Sequence, residues 1–211
     1  MAEVRTEQLW RTQNRHPGDR ESLFGAASEV FDGGPVLYPG SYVDIAASFV
    51  FPQVTYVDSD RRAAQFLADR DGVTRIVDGN RRYEEPGEIE FIHADYRSDL
   101  PVPEPGFDLL VALYAGFVSE GCKRYLRPGG LLLANNSHGD AGMASLDPDF
   151  ELAAVINKRD ASYLATSRDL DRYLVPKKEG QVVTDELLRR TNRGVAYTRS
   201  PSAYLFRKTA G

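Results

Sequence analysis

Phe107-Asp108-Leu109-Leu110-Val111-Ala112-Leu113 is a near-continuous apolar run, and Leu131-Leu132-Leu133-Ala134-Asn135 is a second. A strand that is apolar at successive positions is buried on both faces. Between the two runs lies FVSEGCKRYL, a segment of helical length, stopped by Arg127-Pro128-Gly129-Gly130. Strand, helix and strand at this spacing form a βαβ unit, which implies a parallel sheet with right-handed crossovers.

The rest of the chain extends that pattern. The first ~30 residues read as helix, broken near His16-Pro17-Gly18 and resuming through ESLFGAASEVF. A short strand follows at Val36-Leu37-Tyr38 and ends at Pro39-Gly40-Ser41, and YVDIAASFVF is a short helix. The next strand, Val54 to Val57, closes at Asp58-Ser59-Asp60 and leads into one helix, RRAAQFLADRD. A weakly structured connection, IVDGNRRYEEPGE, precedes a third strand from Ile89 to His93. In the tail, FELAAVI and SYLATS read as strands, TDELLRRTN as a helix and Ser202 to Phe206 as a final strand. Two late strands without a crossover helix between them imply an antiparallel finish. The expected product is one soluble α/β domain over 1–211: a helical segment at 1–33, a core at 34–140, and C-terminal strands and helix at 141–211.

Composition narrows the function. With a single cysteine, Cys122, no intramolecular disulfide or cysteine-based metal cluster can form, which fits a reducing, cytoplasmic setting. A formal net charge of −5 opposes general attraction to nucleic acid, and acidic residues accompany most of the basic pairs. No apolar run approaches the length that spans a bilayer. The three histidines are far apart in sequence, so no metal set is expected.

In an open parallel sheet, ligands bind beyond the carboxyl ends of the strands. Here those turns are YPGSYVD, VDSD, HADY, YAGF and NNSHGD, all rich in Gly, Asp, Asn, Ser and Tyr. Gly40 lets the backbone approach a ligand closely, or simply makes a tight turn. Asp58 lies 18 residues beyond Gly40, near the offset of an acid that accepts from ribose hydroxyls. Asp60 suits the cap of the following helix, which leaves Asp58 free for a ligand. Asp95 can take the exocyclic amine of adenine while Tyr96 covers its face, or Asp95 only shapes its turn. Asn135, Asn136, Ser137 and His138 form the most polar cluster, in which His138 is either a general base or a structural hydrogen-bonding residue. His93 reads as structural, and His16 as part of a surface break. The absence of GxGxxG removes the main support for a nicotinamide cofactor.

This ordered set of turns resembles the class I S-adenosylmethionine-dependent methyltransferases, well over residues 34 to 140 and by topology in the tail. LRPGGLLLANN, which resembles the family's passage into its fifth strand, is the most specific match. The resemblance implies a Rossmann-like, mostly parallel seven-stranded sheet with an antiparallel last strand and helices on both faces. It also implies S-adenosylmethionine as cofactor, with Tyr38, Gly40 and Ser41 near the methionine end. Asp58, with Ser59 beside it, would hold the ribose, Asp95 and Tyr96 the adenine, and Tyr114 would lie beneath the methionine moiety. His138, Asn135 and Asn136 would orient the acceptor. The chain departs from the family at the first turn, where only Gly40 remains of several glycines and Tyr38 replaces an acidic residue.

Three functions follow from this reading. The first is methyl transfer to a small-molecule acceptor. The second, motivated by the altered first turn, is a methyltransferase-like protein that binds or scaffolds without catalysis. The third is an enzyme that uses the same edge for another adenosine-containing ligand.

Overall fold

The apolar runs become eight strands in a computed structural model that describes residues 2–160 and 162–209. They are β1 (Val36–Pro39), β2 (Gln53–Asp58), β3 (Glu88–His93), β4 (Phe107–Ala112), β5 (Leu126–Ala134), β6 (Phe150–Arg159), β7 (Ser162–Thr166) and β8 (Ala203–Lys208). One sheet takes them in the order β3-β2-β1-β4-β5-β8-β6-β7. The first five are parallel, β8 runs antiparallel between β5 and β6, and β7 pairs antiparallel with β6 at the edge. This is the expected parallel sheet with an antiparallel finish, and the edge strand β7 makes it eight-stranded instead of the seven-stranded sheet the resemblance implies.

The two buried runs behave as their composition requires. Leu109, Val111, Leu131 and Leu133 join the core on one face of the sheet, and Leu110, Ala112, Leu132 and Ala134 join the core on the other. The first face is covered by residues of α1 (Ala2–Gln13), α2 (Asp19–Ser28), α3 (Arg61–Ala68) and α4 (Arg70–Asp78). The second is covered by α5 (Val118–Cys122), α6 (Asp140–Leu146) and α7 (Asp185–Thr191).

Three local features differ from the sequence reading. The helix expected over 61–71 breaks at Asp69, whose carboxylate accepts from the Gly72 N–H at 3.2 Å and from the Thr6 hydroxyl at 2.6 Å. Capping a second helix there satisfies one of the amides that every helix start leaves open. Arg127-Pro128-Gly129-Gly130 does not precede β5 but is an irregularity inside it, since Leu126 pairs with Phe107 and Leu131 with Leu109. Helix α6 was not anticipated, because DAGMASL is short and has no helical apolar stripe.

No helix joins β3 to β4. The connection at 94–106 carries Pro101, Pro103 and Pro105, which remove backbone donors and keep it irregular. Glu88 and Glu90 of β3 are exposed as a result. No helix among the described residues is long and apolar enough to cross a membrane.

Candidate functional site at the carboxyl edge

The turns after β1, β2, β3 and β4 meet around a cavity of about 360 Å³. Gly40, Asp58, Ser59, Asp95 and Tyr96 line it, joined by Ala94, Arg97 and Ala115. The first five were expected from the sequence as a group. Of the last three, Ala94 and Ala115 belong to the strand ends and turns the sequence singled out without being named as contacts, whereas nothing in an exposed arginine such as Arg97 marks it before the turns are assembled.

Asp58 ties two of these turns together. Its Oδ2 accepts the Tyr42 N–H and its Oδ1 the Asp60 N–H, each at 2.7 Å. Asp60 caps α3 as expected, accepting the Arg62 N–H at 2.7 Å. Asp58 is therefore engaged by the backbone rather than free. An ionised carboxylate has about four acceptor positions, so about two remain for a ligand.

Gly40 has φ +66, and its N–H donates to the Val57 carbonyl at 2.7 Å. A Cβ at this position would overlap the Cβ of Ala115, so only glycine lets the first and fourth turns close together. The Tyr96 hydroxyl donates to the Ala115 carbonyl at 2.5 Å, fastening the third turn to the fourth. Burial pushes that phenol up to about 12, so it remains a donor through the neutral range. The Asp95 carboxylate is gripped by Arg97 through Nε at 2.9 Å and Nη2 at 2.5 Å, which holds it below the usual carboxylate range. That pair is largely exposed and adds little stability.

Three residues expected at the cofactor lie outside the cavity lining. Tyr38 is buried beneath the first turn, where its hydroxyl donates to Asp44 Oδ2 at 3.1 Å. Ser41 is buried, and its hydroxyl has no partner among the described residues. Tyr114 is 57% exposed at φ +61, and its ring stacks on the Arg20 guanidinium, 4.6 Å from the ring centre. Tyr42 likewise stays out of the cavity, so neither tyrosine of the first turn fills it.

The turn after β5 is held mainly by its own polar groups. Asn135 Oδ1 accepts from the Ser137 hydroxyl at 2.9 Å, the Ser137 N–H at 3.3 Å and the Tyr114 N–H at 3.4 Å. Asn136 Nδ2 donates to the Val195 carbonyl at 2.8 Å, while its buried Oδ1 has no partner among the described residues. His138 is half-buried and makes no hydrogen bond with a described residue. None of the three lines the cavity. His93 faces the Ser59 carbonyl at 3.0 Å, and His16 is exposed between α1 and α2. No metal-ligating group of His, Cys, Asp or Glu occurs among the described residues.

Two buried carboxylates were missed. Asp44 accepts from the Tyr38 hydroxyl and from the Ala46 N–H at 3.2 Å, and it forms an ion pair with Arg20, whose Nε lies 3.1 Å from Oδ2. Asp140, the first residue of α6, accepts the Ser119 N–H at 3.2 Å and the Ser119 hydroxyl at 2.5 Å. The signal for Asp44 was present, since a lone acid inside the apolar YVDIAASFVF must find partners if that segment is buried.

Comparison with known structures agrees with this architecture. A protein assigned as an S-adenosylmethionine-dependent methyltransferase, from Methanococcus maripaludis, superposes with a TM-score of 0.54 at 12% identity, covering 98% of this chain and 93% of that one. One assigned as an O-methyltransferase, from Klebsiella pneumoniae, gives 0.50 at 13% identity, covering 90% and 80%. The chain has the fold of the S-adenosylmethionine-dependent methyltransferases. No protein-family model matches the sequence, and no curated protein matches it.

Proposed function

We propose that this protein is an S-adenosylmethionine-dependent methyltransferase acting on a small-molecule acceptor. The observation that carries the reading is Asp58, which lines the cavity with acceptor positions to spare. Ribose hydroxyls are donors suited to those positions, the adenine amine suits Asp95, and Tyr96 offers an aromatic face. These groups fit an adenosine-bearing cofactor.

Bound there, S-adenosylmethionine supplies an electrophilic methyl group. The chain's own task is positioning, which provides much of the rate in such transfers. Asn135, fixed by Ser137 and Tyr114, orients the acceptor, and His138 accepts a proton from its hydroxyl or amine. The single, buried Cys122 suits a cytoplasmic enzyme.

One observation favours a second reading, a fold retained for binding without methyl transfer. Ala115 is seated on Gly40 and bonded to Tyr96, which narrows the space between the first and fourth turns where the methionine end would lie. Calorimetric titration with S-adenosylmethionine, S-adenosylhomocysteine and 5′-methylthioadenosine separates the two. Under the enzyme reading all three bind, and Asp58→Ala weakens each about 10- to 100-fold, the loss of hydrogen bonds to a charged group. Binding of methylthioadenosine alone supports the second reading. No binding of any of them at millimolar concentration overturns the cofactor site. Because Asp58 also holds backbone amides, the melting temperature of the variant is measured alongside.

A further inference from the structure

Tyr114 is an anomaly at the carboxyl edge. A bulky, non-glycine residue at φ +61 is strained, and strain of this kind persists only where surrounding structure enforces it. Its ring is exposed instead of being repaid by burial in the core. Two contacts hold it: the N–H to Asn135 Oδ1 at 3.4 Å, and the ring stacked on Arg20 of α2.

Arg20 has a half-used guanidinium. Its side chain is only 22% exposed, and its Nε lies 3.1 Å from Asp44 Oδ2. Asp44 also takes the Tyr38 hydroxyl and the Ala46 N–H, so two donors and the Nε end of the ion pair compensate its charge, and it does not need the rest of Arg20. Neither terminal nitrogen of Arg20 donates a hydrogen bond to a described residue. The neighbouring Asp19 is committed elsewhere, to Lys158 and Tyr163. A guanidinium stacked on a ring keeps its in-plane edge available, and the paired terminal nitrogens match a carboxylate in bidentate fashion. Stacking also excludes water from one face of the ion pair, which strengthens it.

We infer that Arg20, shielded by Tyr114, is the recognition site for a carboxylate on the acceptor, so that the acceptor is a small organic acid. The inference rests on the methyltransferase reading for the word acceptor. Neither residue lines the cavity assigned to the adenosine, and Tyr114 is bonded to Asn135 of the acceptor turn, which places the pair on the acceptor side. The strain at Tyr114 has a role in this arrangement: it turns the ring out of the strand direction and over the guanidinium.

The test uses acids paired with their neutral amides: 4-hydroxybenzoate, indole-3-acetate and succinate, each against its amide, by ligand-observed NMR with S-adenosylhomocysteine present. The expected result is at least one pair in which the acid binds tenfold or more tightly than the amide. Arg20→Gln abolishes that preference, and Arg11→Gln, which changes an exposed arginine of α1, leaves it intact. Tyr114→Gly relieves the positive φ and keeps the fold, and is expected to weaken acid binding severalfold. It therefore tests the site even if Arg20→Gln, which strips Asp44 of its cation, fails to fold. No preference for acid over amide in any pair, or a preference unaffected by either variant, overturns the inference. Arg20→Gln weakening S-adenosylhomocysteine tenfold but not methylthioadenosine also overturns it, by assigning Arg20 to the cofactor's carboxylate. An acid preference that depends on Arg20 in a protein that binds no S-adenosylhomocysteine upholds the carboxylate site and removes the methyltransferase reading instead.

Discussion

Gly40→Ala is expected to lower the unfolding free energy by about 2–4 kcal/mol in a urea titration. Part of the loss, on the order of 1 kcal/mol, comes from holding a residue with a Cβ in the left-handed region, here φ +66. The larger part is overpacking against Ala115, whose Cβ cannot rotate away; such insertions cost about 1–3 kcal/mol. The two parts separate in a double-mutant cycle. Adding Ala115→Gly to Gly40→Ala removes the overlap and should recover more than about 1 kcal/mol, a coupling typical of side chains in direct contact. A single variant within about 0.5 kcal/mol of the parent would show that the first and fourth turns are not closed on each other, and the cavity would have to be redrawn.

The second large effect belongs to Asp140. Its carboxyl is almost fully buried, and burial pushes it up to about 7, against the opposing pull of the hydrogen bonds from Ser119. A carboxyl that holds its proton more tightly folded than unfolded stabilises the fold at low pH. Below about pH 4 both states are protonated and the contribution is complete. As the pH rises the unfolded chain ionises first, and stability falls until the folded carboxyl also ionises near pH 7. At about 1.36 kcal/mol per unit the fall reaches up to about 4 kcal/mol. Asp140→Asn keeps the size of the side chain and removes its titration, so its urea midpoint should be flatter than the parent's from pH 4 to 7. Parallel profiles for the two proteins across that window would mean that Asp140 does not carry the shift. Asp140→Ala goes further, since it strips the Ser119 amide and hydroxyl of their acceptor at every pH, at a cost of about 1–3 kcal/mol for each buried group left unmade.

Much of this architecture was legible because it depends on local composition. Leu109 to Ala112 and Leu131 to Ala134 read as strands buried on both faces, although the proline-glycine stretch that was expected to bound the second lies inside β5. The same reasoning placed Gly40, Asp58, Ser59, Asp95 and Tyr96 at one edge, where the structure brings them around one cavity. Pairings distant in sequence were not legible. Which groups Asp58 would accept from depended on how closely the first turn approaches β2, and a sequence does not state that distance. Arg20 and Tyr114 lie far apart in the chain, and their stacking depends on where α2 packs, which local composition does not state. Helix α6 escaped for a different reason, since its stability comes from packing Ala141 and Ala144 into the core rather than from a periodic pattern.

The position of β8 bears on the order in which the molecule can assemble. Residues 203–208 follow β6 and β7 in sequence, yet they lie between β5 and β6 and supply the only strand pairing described between the parallel half and the β6–β7 hairpin. During synthesis the parallel strands can begin to pair as they emerge, whereas the hairpin, complete by residue 166, has no sheet to join until β8 is available. Over that interval the apolar residues of β6, among them Ala154, Val155 and Ile156, lack the partner strand that will cover them. The nascent chain is thus most exposed to aggregation and to proteases between the synthesis of β7 and that of β8.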